Sequence, residues 1–132
     1  MTTLQFVLFL SGLILPSVFW RMKFRFNPVS FYTLNKLRSQ SGLNLHHGHY
    51  GLIMLVISLV MLVFGYHNGF TIGLAGFGLG HVADEIMPLL HMPSPGRNKE
   101  LEIYAQELHN TINLIGALVT VVLIIFVFLY KH

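Results

Sequence analysis

Residues 69–86 read GFTIGLAGFGLGHVADEI, and this stretch decides how the chain can fold. Glycines recur along it every three or four residues, at Gly69, Gly73, Gly76 and Gly80. In a membrane, a stripe of small residues on one helix face lets a neighbouring backbone approach closely. The residues that follow, 81–85, place ionisable side chains at the end of the same apolar segment. We therefore expect a central, closely packed helix with a polar site near one end.

The composition indicates an integral membrane protein. Of the 132 residues, 54% are hydrophobic and 10% are charged, and the mean hydropathy is +0.65. A soluble domain carries about a quarter charged residues. The formal net charge of +3 is localised along the chain, and we expect no nucleic-acid partner. The absence of cysteine excludes disulfides, thiolate metal sites and iron–sulfur clusters.

Four apolar segments predict four transmembrane helices in a single membrane domain, residues 1–132. The predicted spans are residues 4–20, 48–66, 70–90 and 109–130. Segments of about 17–25 residues can cross the hydrocarbon core of a bilayer as helices. Between the first two spans, Phe31, Leu34 and Leu37 recur at helical spacing and predict a short helix in the membrane interface. The expected fold is all-α, a bundle of four transmembrane helices with one interfacial helix.

The basic residues predict the orientation of these spans. Seven of the eight lysines and arginines fall in two segments, residues 21–46 and 91–108. Basic loops favour the cytoplasmic side of a membrane. We therefore expect both segments in the cytoplasm and both chain termini outside.

Polar side chains of three predicted spans are expected to meet near the cytoplasmic leaflet. The second span begins in a histidine cluster, residues 46–49, and the fourth begins at His109. On the third span, His81 and Asp84 are three residues apart and can present adjacent ligands on one helix face. An ionisable group in hydrocarbon costs about 2.5–3.5 kcal/mol and normally faces a partner inside the bundle. A divalent cation would supply that partner.

The sequence thus predicts a metal centre built from imidazole and carboxylate groups. Its predicted residues are the ligands His46, His49, His81, Asp84 and His109 and the general base Glu85. Ligands of this kind suit zinc, iron, manganese or copper, and the sequence does not choose among these metals. Two of the histidines on different spans could instead ligate a haem, although the adjacent carboxylates favour a hard cation.

Each part of the predicted centre also has a structural interpretation. The histidine cluster could contact anionic lipid headgroups, and the acidic pair could form ion pairs with Arg97 or Lys99. The motif His46-His47-Gly48-His49 resembles one histidine box of the membrane desaturases and hydroxylases. That family carries several such boxes over a longer chain, so the sequence is not assigned to it.

Three functions fit these features. The leading prediction is a metal-dependent membrane enzyme, a hydrolase or an oxidase, acting on a lipid-like substrate. The second is a non-catalytic accessory subunit of a larger complex, such as a respiratory or monooxygenase assembly, joined as a homo- or hetero-oligomer through the glycine stripe. The third is a proton or ion carrier that uses Asp84 and Glu85. Membrane lipids are expected partners in all three.

Overall fold

A computed structural model describes residues 1–27, 47–91 and 97–131, and most of these residues lie in helices. The helices are α1 (Thr3–Phe26), α2 (His47–Val63), α3 (Gly69–His91), α4 (Arg97–Gln106) and α5 (Leu108–Lys131). The predicted all-α class is confirmed. The predicted interfacial helix, with Phe31, Leu34 and Leu37, lies outside the described residues.

The first helix is longer than the first predicted span. Its start is fixed by a capping box in which Thr2 Oγ1 accepts the Gln5 N–H at 3.2 Å and Gln5 Oε1 accepts the Thr2 N–H at 2.8 Å. Lys23 and Arg25 lie in its last turn, where positive charge interacts favourably with the helix dipole. The helix therefore continues through basic residues that the sequence analysis had assigned to a cytoplasmic segment.

The second helix ends at Val63, three residues before the predicted end of its span. Gly65 adopts a left-handed conformation with φ 86°. Its N–H bonds to the Leu62 carbonyl at 3.0 Å, and the Tyr66 N–H bonds to the Met61 carbonyl at 2.9 Å. These two bonds form a Schellman motif, in which glycine ends a helix without steric penalty. α2 is therefore 17 residues long.

The third helix is central, because it packs extensively on α1 and α2 and less on α5. All four glycines of the predicted stripe face α1. A Cβ added at Gly80 would lie 2.5 Å from the Leu13 carbonyl oxygen, and one added at Gly76 would overlap the Phe9 backbone. The stripe is therefore occupied within the chain, and contact with a second chain would require another surface.

A second close contact joins α3 to α2. A Cβ added at Gly78 would lie 2.7 Å from the Gly51 carbonyl oxygen, and one added at Gly51 would lie 2.5 Å from His81 Cβ. Gly48, one turn earlier on α2, faces Glu85 in the same way, at 2.8 Å from its Cβ. These glycines bring the start of α2 against the polar end of α3.

The exposed surface is apolar, and much of the buried interior is small or polar. Exposed side chains include Leu15, Ile53 and Ile124, which are 57%, 56% and 63% exposed. Buried polar residues are Ser17, His47, Ser58, Thr71, His81, Asp84, Glu85 and Thr111. Within the described residues, two helices are long and apolar enough to cross a membrane: α1, and the Leu108–Phe128 part of α5. This distribution is typical of helices surrounded by lipid.

Candidate functional site

Polar side chains from four helices meet at Asp84, which is fully buried. Its Oδ1 accepts a hydrogen bond from Arg21 Nε at 3.1 Å. Its Oδ2 accepts the Tyr104 hydroxyl at 2.6 Å and lies 2.9 Å from His47 Nε2. Each of these three partners comes from a different helix, so the Asp84 carboxylate joins α3 to α1, α2 and α4.

His47 links the two adjacent carboxylates of α3. Its Nε2 lies 2.7 Å from Glu85 Oε2 as well as 2.9 Å from Asp84 Oδ2. His47 is 4% exposed and Glu85 is 2% exposed, so this contact is shielded from solvent. The imidazole ring stacks on Trp20 with 4.8 Å between centroids and 19° between planes. One nitrogen atom is thus held between two buried carboxyl groups.

Arg21 is the cation of the site. Besides its bond to Asp84, its guanidinium donates to the Tyr104 carbonyl oxygen and to Thr111 Oγ1, the latter at 3.0 Å. The guanidinium also lies over the Tyr104 ring, 3.8 Å from the centroid. Arg21 therefore connects α1 to α3, α4 and α5, although the sequence analysis had placed it in a cytoplasmic segment.

Tyr104 is held in its neutral, hydrogen-donating form. Burial of the ring and the nearby Asp84 carboxylate raise the pKa of Tyr104 well above its ordinary value of about 10. The hydroxyl therefore keeps its proton and donates a hydrogen bond to Asp84 throughout the neutral range. Tyr104 lies on α4, which precedes the last apolar helix.

This shift predicts a loss of stability in alkali. Above about pH 10 the unfolded chain loses the Tyr104 proton while the folded chain retains it, so stability is unaffected below that pH and falls above it. In Tyr104→Phe, we expect a free energy of unfolding about 1.5–3 kcal/mol lower at neutral pH, because a hydrogen bond to a charged group is lost. We also expect the stability of this variant to decline less steeply in alkali than that of the wild type. Thermal unfolding across pH measures both effects. The control is Tyr66→Phe, at a residue 58% exposed, which should keep the wild-type profile.

The structure brings together three of the residues predicted for the metal centre. His81 is adjacent to Asp84 and Glu85 on α3, with its ring centroid 6.0 Å from that of His47 and its Nδ1 2.9 Å from the Phe77 carbonyl oxygen. Within the described residues, no group of three or more His, Asp or Glu side chains has the arrangement of a metal site.

The other predicted residues are placed elsewhere. His49 and His109 are exposed on their helices, and His46 lies outside the described residues. The alternative ion pairs of the acidic residues with Arg97 or Lys99 involve side chains that are also outside the described part of the chain. Of the predicted ligands, the two described histidines of α2 and α5 therefore do not join the buried cluster.

Three residues of the site were missed as site residues by the sequence analysis. His47 was named in the histidine cluster but was not chosen as a ligand, whereas its neighbours His46 and His49 were. Arg21 follows the apolar run of α1 directly, at the same predicted side of the membrane as Asp84, and this position was a usable signal. Nothing in the sequence pattern around Tyr104 indicated its contact with the carboxylate.

Comparison with known proteins adds no assignment. No family model, no curated protein and no solved structure matches this chain. The chemistry of the buried cluster is therefore the basis for any functional proposal.

Proposed function

We propose that the chain is a four-span integral membrane protein with a proton-exchanging site at the cytoplasmic leaflet, used on a membrane-dissolved substrate. In this arrangement α1, α2, α3 and α5 cross the bilayer and α4 lies at the cytoplasmic surface. Both termini are outside, because the basic segments then lie in the cytoplasm. Two helices with the length and hydropathy of a span support the membrane part of the proposal.

The observation that carries the proposal is the position of His47 Nε2, 2.7 Å from one buried carboxylate oxygen and 2.9 Å from another. Among the described residues of this cluster, Arg21 is the permanent cation, and its guanidinium bonds to Asp84. His47 Nε2 lies within hydrogen-bonding distance of both Asp84 and Glu85, so a proton at this position is shared between the imidazole and a carboxyl group. Because burying a charge is costly unless it is paired, this contact favours a bound proton.

A group of this kind suits acid–base chemistry. Histidine and carboxyl groups whose proton affinities are adjusted by burial and by each other are the usual proton donors and acceptors of enzymes. At the end of the bundle away from the cluster, an open pocket of about 400 Å³ is lined by apolar side chains, among them Phe9, Leu59 and Phe126. The described lining of this pocket has no titratable side chain that would carry protons to the cluster. This favours a substrate that reaches the site from the cytoplasmic leaflet.

Titration of Trp20 fluorescence tests this proposal. The chain has a single tryptophan, and its ring stacks on His47, so charging the imidazole changes the environment of the indole. We expect a one-proton transition in the wild type that is lost in His47→Gln and displaced in Glu85→Gln. His49→Gln is the matched control, an exposed histidine two residues further on, and should leave the transition unchanged. A transition that survives in His47→Gln contradicts the proposal.

A metal-dependent hydrolase or oxidase is the second candidate. The observation that favours it is the same convergence, because His47 Nε2 lies within 3 Å of two carboxylate oxygens and these are common ligand types of metal sites. Two observations favour the proton as the occupant: Arg21 already binds Asp84 Oδ1, and the described His, Asp and Glu side chains do not have the arrangement of a metal site. Metal analysis of protein purified without chelators decides between them. One bound metal per chain, lost in Asp84→Asn, would establish the metal centre.

A further inference from the structure

A cleft lies between α1 and α2, with one face of α3 as its floor. Among the described residues, α1 and α2 each pack extensively on α3 and scarcely touch one another. Gly76 and Gly80 of α3 face α1, and Gly78 faces α2. Phe77 and His81 lie between these two faces of the helix, one turn apart. The ring of Phe77 is 36% exposed, so the cleft is open to the membrane at that level.

The stack of Trp20 on His47 closes the cytoplasmic end of this cleft. Trp20 belongs to α1 and His47 begins α2, so the contact joins the two helices above α3. The imidazole of His81 lies beside the stack, with its centroid 6.5 Å from that of Trp20 and 6.0 Å from that of His47. Phe77 packs edge-on against the same imidazole at 4.5 Å. His81 is therefore the inner end of a cleft with aromatic walls.

The Nε2 atom of His81 is an acceptor for which the described residues supply no donor. Nδ1 lies 2.9 Å from the Phe77 carbonyl oxygen, and because a carbonyl only accepts, Nδ1 carries the hydrogen of the neutral ring and Nε2 carries the lone pair. His81 is 7% exposed, and within the described residues its Nε2 has no hydrogen-bond partner. Unlike Ser17 Oγ, this nitrogen is not fully enclosed. A buried acceptor left unpaired costs about 1–3 kcal/mol, which a ligand with a donor group would recover.

We propose that this cleft binds a membrane-dissolved phenol, whose hydroxyl donates a hydrogen bond to His81 Nε2 and whose ring packs against Phe77 and Trp20. Aromatic side chains favour edge-to-face or offset contact with another ring. The inference rests on the proposed function, because it names the class of substrate that the proton-exchanging site serves. It also gives His81 a role as a substrate-binding residue.

The chemistry of the acceptor favours a phenol over other membrane-dissolved molecules. A phenol ionises near pH 10 and bulk water near about pH 15.7, so a phenolic hydroxyl is a stronger hydrogen-bond donor than an aliphatic one. A carboxylate offers acceptors alone, which a lone-pair nitrogen does not bind. Phe77 lies about 10 Å along α3 from Asp84, within the depth of one leaflet. The ligand therefore enters sideways from the cytoplasmic leaflet.

A comparison of two ligands tests the inference. 4-Octylphenol and its methyl ether, 4-octylanisole, share one apolar body, and the ether lacks the donor. Calorimetric titration of the purified protein, corrected for uptake by protein-free detergent micelles, measures both affinities. We expect the wild type to bind the phenol about three- to tenfold more tightly than the ether, the value of one hydrogen bond. Equal affinities would overturn the assignment, and so would equally tight binding of 1-dodecanol.

His81→Phe removes the acceptor and keeps a ring of similar size. We expect the preference for the phenol to disappear in this variant, while the affinity for the ether stays within about twofold of the wild type, which shows that the cleft is intact. His109→Phe is the matched control at an exposed histidine and should keep the preference. Phe77→Ala should weaken both ligands by a similar factor, about two- to tenfold, because it removes an aromatic wall and not the acceptor. A preference retained in His81→Phe would overturn the assignment.

Nitrogen NMR of histidine-labelled wild-type protein gives a readout that needs no variant. We expect the signal of one lone-pair imidazole nitrogen to move when 4-octylphenol is added and to stay in place with 4-octylanisole. A spectrum in which no such signal moves would contradict the proposed contact. The Trp20 titration is made on ligand-free protein, so a failure of the phenol site leaves that transition intact. A failure of the proton site leaves the difference between the two ligands intact.

Discussion

Asp84→Ala is expected to lower the free energy of unfolding by about 3–5 kcal/mol, because removing one partner leaves a buried charge uncompensated. Arg21 loses its counter-ion, and the hydroxyl of Tyr104 and the ring of His47 lose a shared acceptor. Thermal or denaturant unfolding in detergent, followed by the fluorescence of Trp20, measures the loss.

The double variant Arg21→Met/Asp84→Leu is the control for this interpretation. Replacing a buried ion pair by apolar groups of similar size is often neutral or stabilising, whereas breaking the pair is not. We expect the double variant to be more stable than Asp84→Ala alone. If Asp84→Ala loses less than about 1 kcal/mol, the carboxylate is not the centre of the buried network.

Gly76→Ala should have the second large effect, a loss of about 3 kcal/mol in the free energy of unfolding, at the upper end of the usual range for an overpacked contact. The added methyl group would overlap the backbone of Phe9, which cannot move aside as a side chain can. α1 must then shift away from α3, which also draws Arg21 from Asp84. Thermal unfolding of the purified protein gives the size of the effect.

Gly116→Ala provides the matched comparison. An added Cβ at this position meets no atom within 4 Å, so the substitution should stabilise the helix by about 0.5–1 kcal/mol through the lower conformational entropy of the unfolded chain. Equal stability of the two alanine variants would show that the backbones of α1 and α3 are not in contact at Gly76.

Much of the architecture follows from local sequence patterns. Hydrophobic segments give the helices, and the spacing of Gly76 and Gly80 identifies the face of α3 on which another backbone can lie. The adjacent acidic residues Asp84 and Glu85 locate the polar end of that helix. These features depend on residues close together in the chain, for which helical geometry is known in advance.

The partners of those acidic residues could not be predicted in the same way. Helical periodicity fixes which residues share a face within one helix, but not how far one helix slides along another. The contact of Gly48 with Glu85 sets the register of α2 against α3. This register places His47, and not its neighbours, beside the carboxylates. The contact of Tyr104 with Asp84 depends in turn on where α4 packs against the other helices.

The sparse packing of α5 has a consequence for biogenesis. The contact surfaces of α1, α2 and α3 lie within the first 91 residues, whereas α5 is largely exposed and rests on α1 and α3. During synthesis, the three earlier helices can assemble while the rest of the chain is still in the ribosome. Asp84 then meets Arg21 and His47 first. The hydroxyl of Tyr104 and the side chain of Thr111, which bind Asp84 and Arg21, arrive last, so the centre of the polar cluster forms before its last partners are in place.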